Sequence, residues 1–355
     1  MSALVAQKGS RACGFSMIEM LVSVAMAAFM TVVMTNVFLA NEEAREVQGS
    51  VTEVQANGRV ALSWLTHDLR MAGNTSLTYL HAPIAITEVA AMNPTVTANC
   101  FDVSTQAFNW GLTSLPTATG YAAPKVFGVN DFEAGDNIFS GCVANDQIVS
   151  GTDLVSVHYV SAEVIDDSDL SAGNIYLNSG LQGGVVFKCA NSGSACKAAL
   201  TDARTDPSGQ RNHLLISRLY FVRPWASQPG DDIPTLVRMN MAANGVVEVE
   251  PLIEGVASMQ VRYGIDTTDN GSANQYVTAD QMPSISSIAG AIQWTRIASV
   301  KVSVLMQSTA ENFSEAPAGK EFVVGGETVS LSGRYFGETY NVTVAVRNPA
   351  QRFAS

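Results

Sequence analysis

The sequence is short of positive charge and of recognisable catalytic motifs. Its 355 residues include 20 Lys and Arg against 32 Asp and Glu, which gives a formal net charge of -12. Because a chain of this charge repels a phosphate backbone, the composition argues against sequence-wide nucleic-acid binding. The chain also lacks G-x-S-x-G, P-loop, G-x-G-x-x-G and H-E-x-x-H patterns, so no class of enzyme is indicated.

Cysteine is also scarce, with five in the chain. Cys13 precedes a long apolar run and four others follow it, and an even number there is typical of a disulfide-bonded extracytoplasmic domain. The KCANSGSACK loop can return on itself, which favours Cys189 with Cys196 and leaves Cys100 with Cys142. The other pairings, or four free thiols in a cytosolic protein, stay open. Zinc is disfavoured because there is no C-x-x-C pair and the four histidines are scattered.

The apolar run extends from Phe15 to Ala40. As a helix it spans roughly 39 Å, which exceeds the roughly 30 Å hydrocarbon core of a bilayer. It is too long for a cleavable secretory signal and has no A-x-A site after it. Lys8 and Arg11 precede the run and acidic NEEARE follows it, so we expect a cytoplasmic N-terminus and the bulk of the chain outside.

One carboxylate, Glu19, interrupts this run. A buried carboxylate costs on the order of 3 kcal/mol in a membrane, so it usually has a partner or a function. The segment Gly14-Phe15-Ser16-Met17-Ile18-Glu19, with basic residues before it, resembles the class III leader of type IV pilins and pseudopilins. The resemblance implies that a prepilin peptidase cuts between Gly14 and Phe15 and that Phe15 is N-methylated. A plain uncleaved anchor is the alternative, but it gives no reason for Glu19.

The same resemblance makes Glu19 the fifth residue of the mature chain. Glu19 lies about 6 Å along the helix from the amine that cleavage would create on Phe15. A neighbouring subunit's Glu19 could neutralise that amine, and buried charge pairs can fix register. We therefore predict that Glu19 sets the axial register between subunits in a filament.

The helical pattern continues beyond the apolar run. Val47, Val51, Val54, Ala61, Leu65 and Leu69 recur at helical spacing and Gly73-Asn74 supplies a stop, so one helix is predicted from Phe15 to about Ala72. We expect its second half to pack on a globular head. The expected segments are a leader (1–14), a transmembrane half-helix (15–40), an amphipathic half-helix (41–73) and a β-rich head (74–355).

The head is predicted to be β-rich. Alternating segments bounded by Gly, Pro, Asn or Asp predict strands at Leu154–Val160, Val185–Lys188, Leu214–Val222, Leu236–Met241, Val246–Glu250, Met259–Tyr263, Ile297–Met306 and Tyr340–Val346. Residues 74–150 are rich in Thr, Ala, Asn and Pro and are predicted to be loop-dominated, braced by Cys100 and Cys142. The predicted fold class is therefore α+β, and the resemblance to type IV pilins implies that the long N-terminal helix packs on a large antiparallel head.

The C-terminal half permits a narrower resemblance. PLIEGV, MQVRYGID, VKVSVL and TVAVRN, together with LRMAG at the end of the helix, resemble the PilW family of minor pilins. That resemblance implies no enzyme activity and a structural subunit that primes a type IV pilus or caps its tip. The implied partners are the prepilin peptidase, other minor pilins, the major pilin and the inner-membrane assembly machinery. A J-type pseudopilin of a type II secretion system and a membrane-tethered periplasmic binding protein are the alternatives.

One loop offers a ligand site. Asp266, Asp269 and Asn270 place oxygen ligands around Gly271, as in some Ca²⁺ loops. The EF-hand pattern is incomplete, however, and Asn270-Gly271 also suits a plain hairpin turn. The sequence favours the turn and keeps calcium as the second possibility, with no other cofactor indicated.

Overall fold

The computed structural model describes residue 14 and residues 16–76, 84–86, 125–133, 143–181, 183–196, 209, 211–241, 247–268, 270–283, 293–311 and 319–346. The chain forms two compact units, Met1–Gly49 and Ser50–Ser355. The prediction of an α+β chain with a long N-terminal helix and a large antiparallel sheet domain is confirmed.

Helix α1 is Met17–Met71. Among the described residues it is the one helix that is long and apolar enough to cross a membrane, and none of its most apolar window is buried. The hydroxyls in this part of the chain donate to carbonyls of their own helix, as in Thr31 to Ala27 at 2.8 Å and Thr35 to Thr31 at 2.9 Å. Because these donors are satisfied within the helix, they suit an apolar surrounding.

In the second unit α1 is amphipathic. Its buried residues are Val54, Gly58, Ala61, Leu65, Asp68 and Leu69. Their spacing of three and four forms a single stripe, which is the pattern of a helix packed on one side. Past the helix end, Gly73 adopts a φ of +73° and donates its N–H to the carbonyl of His158 at 2.8 Å, so the stop is close to where the sequence predicts it.

The described strands of the head form three sheets. In chain order they are β1 (Ile84–Ile86), β2 (Val126–Val129), β3 (Leu154–Val160), β4 (Ile175–Gly180), β5 (Gly183–Lys188), β6 (Arg211–Arg223), β7 (Thr235–Met241), β8 (Val247–Glu254), β9 (Val256–Ile265), β10 (Gln275–Val277), β11 (Ile297–Gln307), β12 (Glu321–Val324), β13 (Glu327–Ser330) and β14 (Gly337–Ala345). The first sheet has the order β1-β5-β4-β6-β3-β2, with β7 on β6 and β8 on β7. The second has the order β10-β9-β11-β14, and β12 pairs with β13 alone among the described strands.

All eight predicted strands correspond to observed ones, but six other strands of the described residues lie outside the prediction. Strand β4 does not alternate between apolar and polar residues, because all six of its residues are buried. Strands β1 and β2, of three and four residues, lie inside the region predicted to be loop-dominated. Short strands of this kind depend on their sheet neighbours, here β5 for β1 and β3 for β2, and leave little local signal.

One glycine connects the two large sheets. Strand β8 belongs to the first sheet and β9 to the second, and Gly255 is the single residue between them. Its φ is +81°, and a Cβ there would lie 2.4 Å from the carbonyl oxygen of Gln307. Its N–H donates to Pro234 and its carbonyl accepts from Gln307, both at 2.7 Å. Only glycine fits this crossing, which explains the Gly in the EGV segment.

The main apolar core joins the second part of α1 to both sheets. Leu65 of α1, Tyr220 of the first sheet and Tyr263 of the second belong to one buried cluster. Trp294 lies in the same cluster with its ring centroid 5.1 Å from that of Tyr263, so this tryptophan is a core residue. Burying such large side chains contributes about 1.5–3 kcal/mol each.

Candidate functional site at the helix to head junction

The junction centres on Asp68, a fully buried acid in the last turns of α1. The Nη1 of Arg218 donates to both of its carboxylate oxygens at 2.8 Å. The hydroxyl of Tyr159 donates to Oδ1 at 2.9 Å, and the hydroxyl of Tyr220 donates to Oδ2 in a short hydrogen bond. One carboxylate therefore binds a cation and two phenols from two different strands.

Strand register brings these partners together. Arg218 and Tyr220 are two residues apart on β6, so their side chains share one face. Tyr159 lies on the neighbouring strand β3, whose Val157 is opposite Arg218. Asp68 itself lies between Leu65 and Leu69 on the buried stripe of α1, which aims its carboxylate at this face.

The charges at the junction are mutually compensated. Burial raises the pKa of Asp68, but the hydrogen bonds from Arg218 and Tyr220 outweigh it and leave the pKa below its usual 3.8. Burial and the Asp68 carboxylate raise the pKa of both Tyr159 and Tyr220. The stabilisation from Asp68 is therefore present above about pH 4 and is lost as pH falls through the lowered pKa.

A second contact lies along the same helix. The guanidinium of Arg238 on β7 stands over the ring of Trp64, 4.9 Å from its centroid. Arg238 also donates to Glu250 of β8 at 2.6 Å. Trp64 is 40% exposed, so the pair stabilises the rim of the junction, by about 0.5–1 kcal/mol for an exposed cation–π contact.

Two further contacts connect α1 to the strands that follow. The Nδ2 of Asn57 donates to the carbonyl of Glu254, beside the Gly255 crossing, at 3.4 Å. A Cβ on Gly58 would lie 2.7 Å from the ring of Tyr340 on β14, so the helix and this strand approach closely. The residues 50–71 of α1 are therefore fastened to both large sheets.

The predicted processing residues lie in the first unit. Gly14 is exposed, and a Cβ there would meet nothing within 4 Å. Phe15 lies outside the described residues. Glu19 is exposed, and its Oε2 accepts the backbone N–H of Ser16 at 3.3 Å, the reach-back half of a capping box. Cleavage, methylation and the assembly role of Glu19 stay predictions.

The structure joins Cys189 and Cys196 by a disulfide. Its loop packs on a neighbouring acidic segment, where the N–H of Gly193 donates to the carbonyl of Leu170 at 2.7 Å. Cys100 and Cys142 lie outside the described residues, so their pairing stays a prediction.

The proposed calcium loop forms the connection between β9 and β10, which pair as an antiparallel hairpin. The carboxylate of Asp266 accepts the backbone N–H groups of Thr268 at 3.1 Å, Asn270 at 3.2 Å and Gly271 at 2.6 Å. Asp269 lies outside the described residues. Within the described part of the chain no group of three or more His, Cys, Asp or Glu could hold a metal ion, and calcium stays a prediction.

Sequence reasoning missed the Asp68 junction. The signal that could have found it is a single acid on the apolar stripe, directly before the LRMAG segment that resembles PilW proteins. An acid in a core position needs a buried partner. Its partner Arg218 is 150 residues further along the chain, so no local pattern identifies it.

The architecture, a long apolar N-terminal helix whose second part packs on an antiparallel head, is consistent with a pilin-like α+β fold. A comparison with protein families gives a narrower result. Residues 219–348 match the model of PilW, the Type IV Pilus-assembly protein W. The match runs from β6 to the end of β14 and includes Tyr220, Gly255 and Tyr340, so it supports a type IV pilus-related family. Searches of curated proteins and of solved structures give no match.

Proposed function

We propose that this protein is a minor pilin that primes assembly of a type IV pilus or caps its tip. The observation that carries the proposal is the PilW match over residues 219–348, on a chain whose α1 is long and apolar enough to anchor it in a membrane. The protein acts by assembly and performs no chemistry. Its partners are other minor pilins, the major pilin and the inner-membrane assembly machinery.

Processing begins at the N-terminus. In the proposed precursor the N-terminus is cytoplasmic, α1 crosses the inner membrane and the head is periplasmic, as the basic residues Lys8 and Arg11 favour. Prepilin peptidase cuts between Gly14 and Phe15 and methylates Phe15. Open space around Gly14 supports this step, because a Cβ there would meet nothing within 4 Å and the packing of the described residues therefore does not require a glycine.

Mass spectrometry of the N-terminal peptide from membranes tests the processing step. We expect a peptide that begins with N-methyl-Phe15, and we expect Gly14→Leu to retain the leader. Gly49→Leu is the matched control, since Gly49 also has open space around its Cβ position but lies far from the cleavage site. A wild-type protein that keeps residues 1–14 would refute processing and would favour a simple tethered protein.

A deletion strain tests the role in the pilus. We expect loss of most surface pili, recovery by the plasmid-borne gene, and a small amount of this protein beside the major pilin in sheared pili. Normal pili together with a defect in protein secretion would refute the proposal and would favour a J-type pseudopilin.

A further inference from the structure

The outer face of the second sheet is the side turned away from the apolar core. Tyr263 on β9 and Val300 on β11 belong to that core and are buried. Side chains alternate along a strand, so their neighbours Arg262 and Lys301 point to the outer face. Lys301 is exposed and Arg262 is half-buried. The sheet therefore presents two cations to solvent.

Strand register arranges the outer face in three rows across β9, β11 and β14. None of the nine positions carries an acid, although the chain has 32 Asp and Glu. The face is therefore positive in a protein with a net charge of -12. The rows are Gly264, Ser299 and Ala345; Arg262, Lys301 and Thr343; and Gln260, Ser303 and Asn341.

The two cations are unfavourable for the sheet itself. Arg262 and Lys301 are directly opposite each other on neighbouring strands, and like charges in this arrangement destabilise a sheet. Among the described residues neither of them forms an ion pair that would offset the repulsion. Glu327, on the hairpin β12–β13, attracts Arg262 from beyond ion-pair distance. Such a local conflict is expected where residues serve binding rather than folding.

An aromatic ring lies beside the cations. Tyr276 of β10 is opposite Gly264 of β9, and a Cβ on Gly264 would lie 2.9 Å from Cε1 of the ring. The hydroxyl of Tyr276 is hydrogen-bonded to Oγ of Ser299 on β11 at 2.9 Å. The ring therefore reaches across β9 over the space left by the glycine. Tyr276 is 42% exposed, so the ring also has a face open to solvent.

The ring and the cations are close enough to bind one ligand. Gly264 and Arg262 are two residues apart on β9, and Ser299 and Lys301 are two residues apart on β11. At about 3.3 Å per residue, each of these pairs is separated by roughly 7 Å. Exposed residues of β14 extend the surface with an amide and a hydroxyl. We call this surface the outer platform, and its residues are Arg262, Tyr276, Lys301, Asn341 and Thr343.

The chemistry of the outer platform fits a sugar that carries a carboxylate. The positive edges of C–H groups on a sugar ring suit the negative face of an aromatic ring such as that of Tyr276. Two cations favour a carboxylate, and uncharged amide and hydroxyl groups match sugar hydroxyls. A dense polyanion such as a nucleic acid fits less well, because the strongly acidic chain repels it. A hexuronate has one carboxylate on each sugar ring and meets all of these conditions.

We propose that the outer platform binds glycans that contain hexuronate units. The ring of Tyr276 stacks on the sugar, and Arg262 and Lys301 bind its carboxylate. Asn341 and Thr343 bind its hydroxyl groups. This site lies on the head and requires no other subunit, so it is independent of the role in pilus assembly.

Fluorescence anisotropy with labelled trimers of galacturonate and of mannuronate tests the proposal. The full-length protein is kept in a detergent without sugar groups. We expect the acidic trimers to bind, and we expect their methyl esters, which keep the rings and lose the charge, to bind at least about tenfold more weakly. No binding of either acidic trimer, or equal binding of the esters, would overturn the proposal. Tighter binding of a single-stranded oligonucleotide or an acidic peptide of equal charge would also overturn it.

Matched variants test the named residues. Lys301→Gln should weaken binding at least about tenfold, and its melting temperature should not fall because a like-charge contact is removed. Tyr276→Ala should weaken binding about tenfold, whereas Tyr276→Phe keeps the ring and should stay within about threefold of wild type. Arg211→Gln removes an exposed cation of the first sheet and should bind as wild type, which controls for net charge. Wild-type binding by both Lys301→Gln and Tyr276→Ala would refute the site.

Discussion

Two carboxylates of the same helix have opposite surroundings. Asp68 is fully buried, and a guanidinium and two phenols of its own chain satisfy it. Glu19 is exposed in an apolar segment, and among the described residues it has no ion-pair partner. The difference suggests a division of roles, in which Asp68 serves folding and Glu19 is available to another chain.

The cost of an unpaired charge differs between Asp68 and Glu19, because one carboxylate is buried in its own chain and the other is exposed. A buried ion pair is weak evidence of net stability, yet removing one partner leaves a charge that is uncompensated. For Asp68 that penalty falls on the fold of residues 50–355. For Glu19 it would fall on the assembly, since the local bond to the N–H of Ser16 satisfies only part of the carboxylate.

The sharpest way to test the folding half of the comparison is Arg218→Met. We expect a loss of about 3–5 kcal/mol in the free energy of unfolding, because Asp68 stays buried without its cation. Denaturant unfolding of the detergent-solubilised protein measures it. Exposed Arg70→Met is the control and should change stability by less than about 0.5 kcal/mol. The double variant Asp68→Leu with Arg218→Met should recover most of the loss, and failure to recover would contradict charge compensation as the cause.

A smaller effect is expected from Tyr220→Phe. It removes one hydrogen bond to the Asp68 carboxylate and keeps the ring, so we expect a loss of about 1.5–3 kcal/mol. Since the pKa of Asp68 then rises, acid unfolding should begin at a higher pH than in wild type. Melting temperatures measured from about pH 7 to about pH 3 check both points. If the melting temperature falls at the same acidic pH in the variant and in wild type, Tyr220 does not stabilise the Asp68 carboxylate.

Two glycines of α1 extend the comparison to packing. Gly58→Ala should destabilise the head by about 1–3 kcal/mol, because its Cβ would lie 2.7 Å from the Tyr340 ring, whose hydroxyl is bonded to Glu338. Gly49→Ala has open space and should be neutral or slightly stabilising through helix propensity. The difference in melting temperature between the two variants is the measurement. Equal values would contradict the close approach of α1 and β14.

The smallest effect concerns calcium. Asp266 already accepts three backbone N–H groups in its turn, so we expect dialysis against a chelator to leave the melting temperature unchanged. A clear fall that added Ca²⁺ reverses would instead establish the predicted metal site.

Much of the fold could be predicted from the sequence, and the reasons are local. The apolar run and the helical spacing of Leu65 and Leu69 predict α1. Alternation of polar and apolar residues predicts strands, and the predicted strand Leu154–Val160 has the same bounds in the structure. Strand β4 could not be predicted, because burial of both faces removes the alternation. The partners of Asp68 could not be predicted either. Tyr159 and Arg218 lie 91 and 150 residues further along the chain, so they contact Asp68 only after the sheet forms.

The candidate functional residues also fall into a group that the sequence predicts and a group that it does not. The leader motif around Gly14 and Glu19 is a local pattern and is visible in the sequence. The junction at Asp68 depends on strand register, which brings distant residues together. Such a site follows from tertiary structure, so only the unusual acid on an apolar stripe hints at it.

The most direct test of the account compares Glu19→Ala with Glu19→Gln in cells that lack the wild-type gene. Glutamine can still accept the Ser16 N–H and cap the helix but carries no charge, so it separates capping from charge pairing. We predict that both variants retain a protease-resistant head in the membrane and that both are depleted at least about tenfold from sheared pili, as expected when a charge pair is lost. Incorporation of either variant at the wild-type level would contradict the claim that the charge of Glu19 serves assembly.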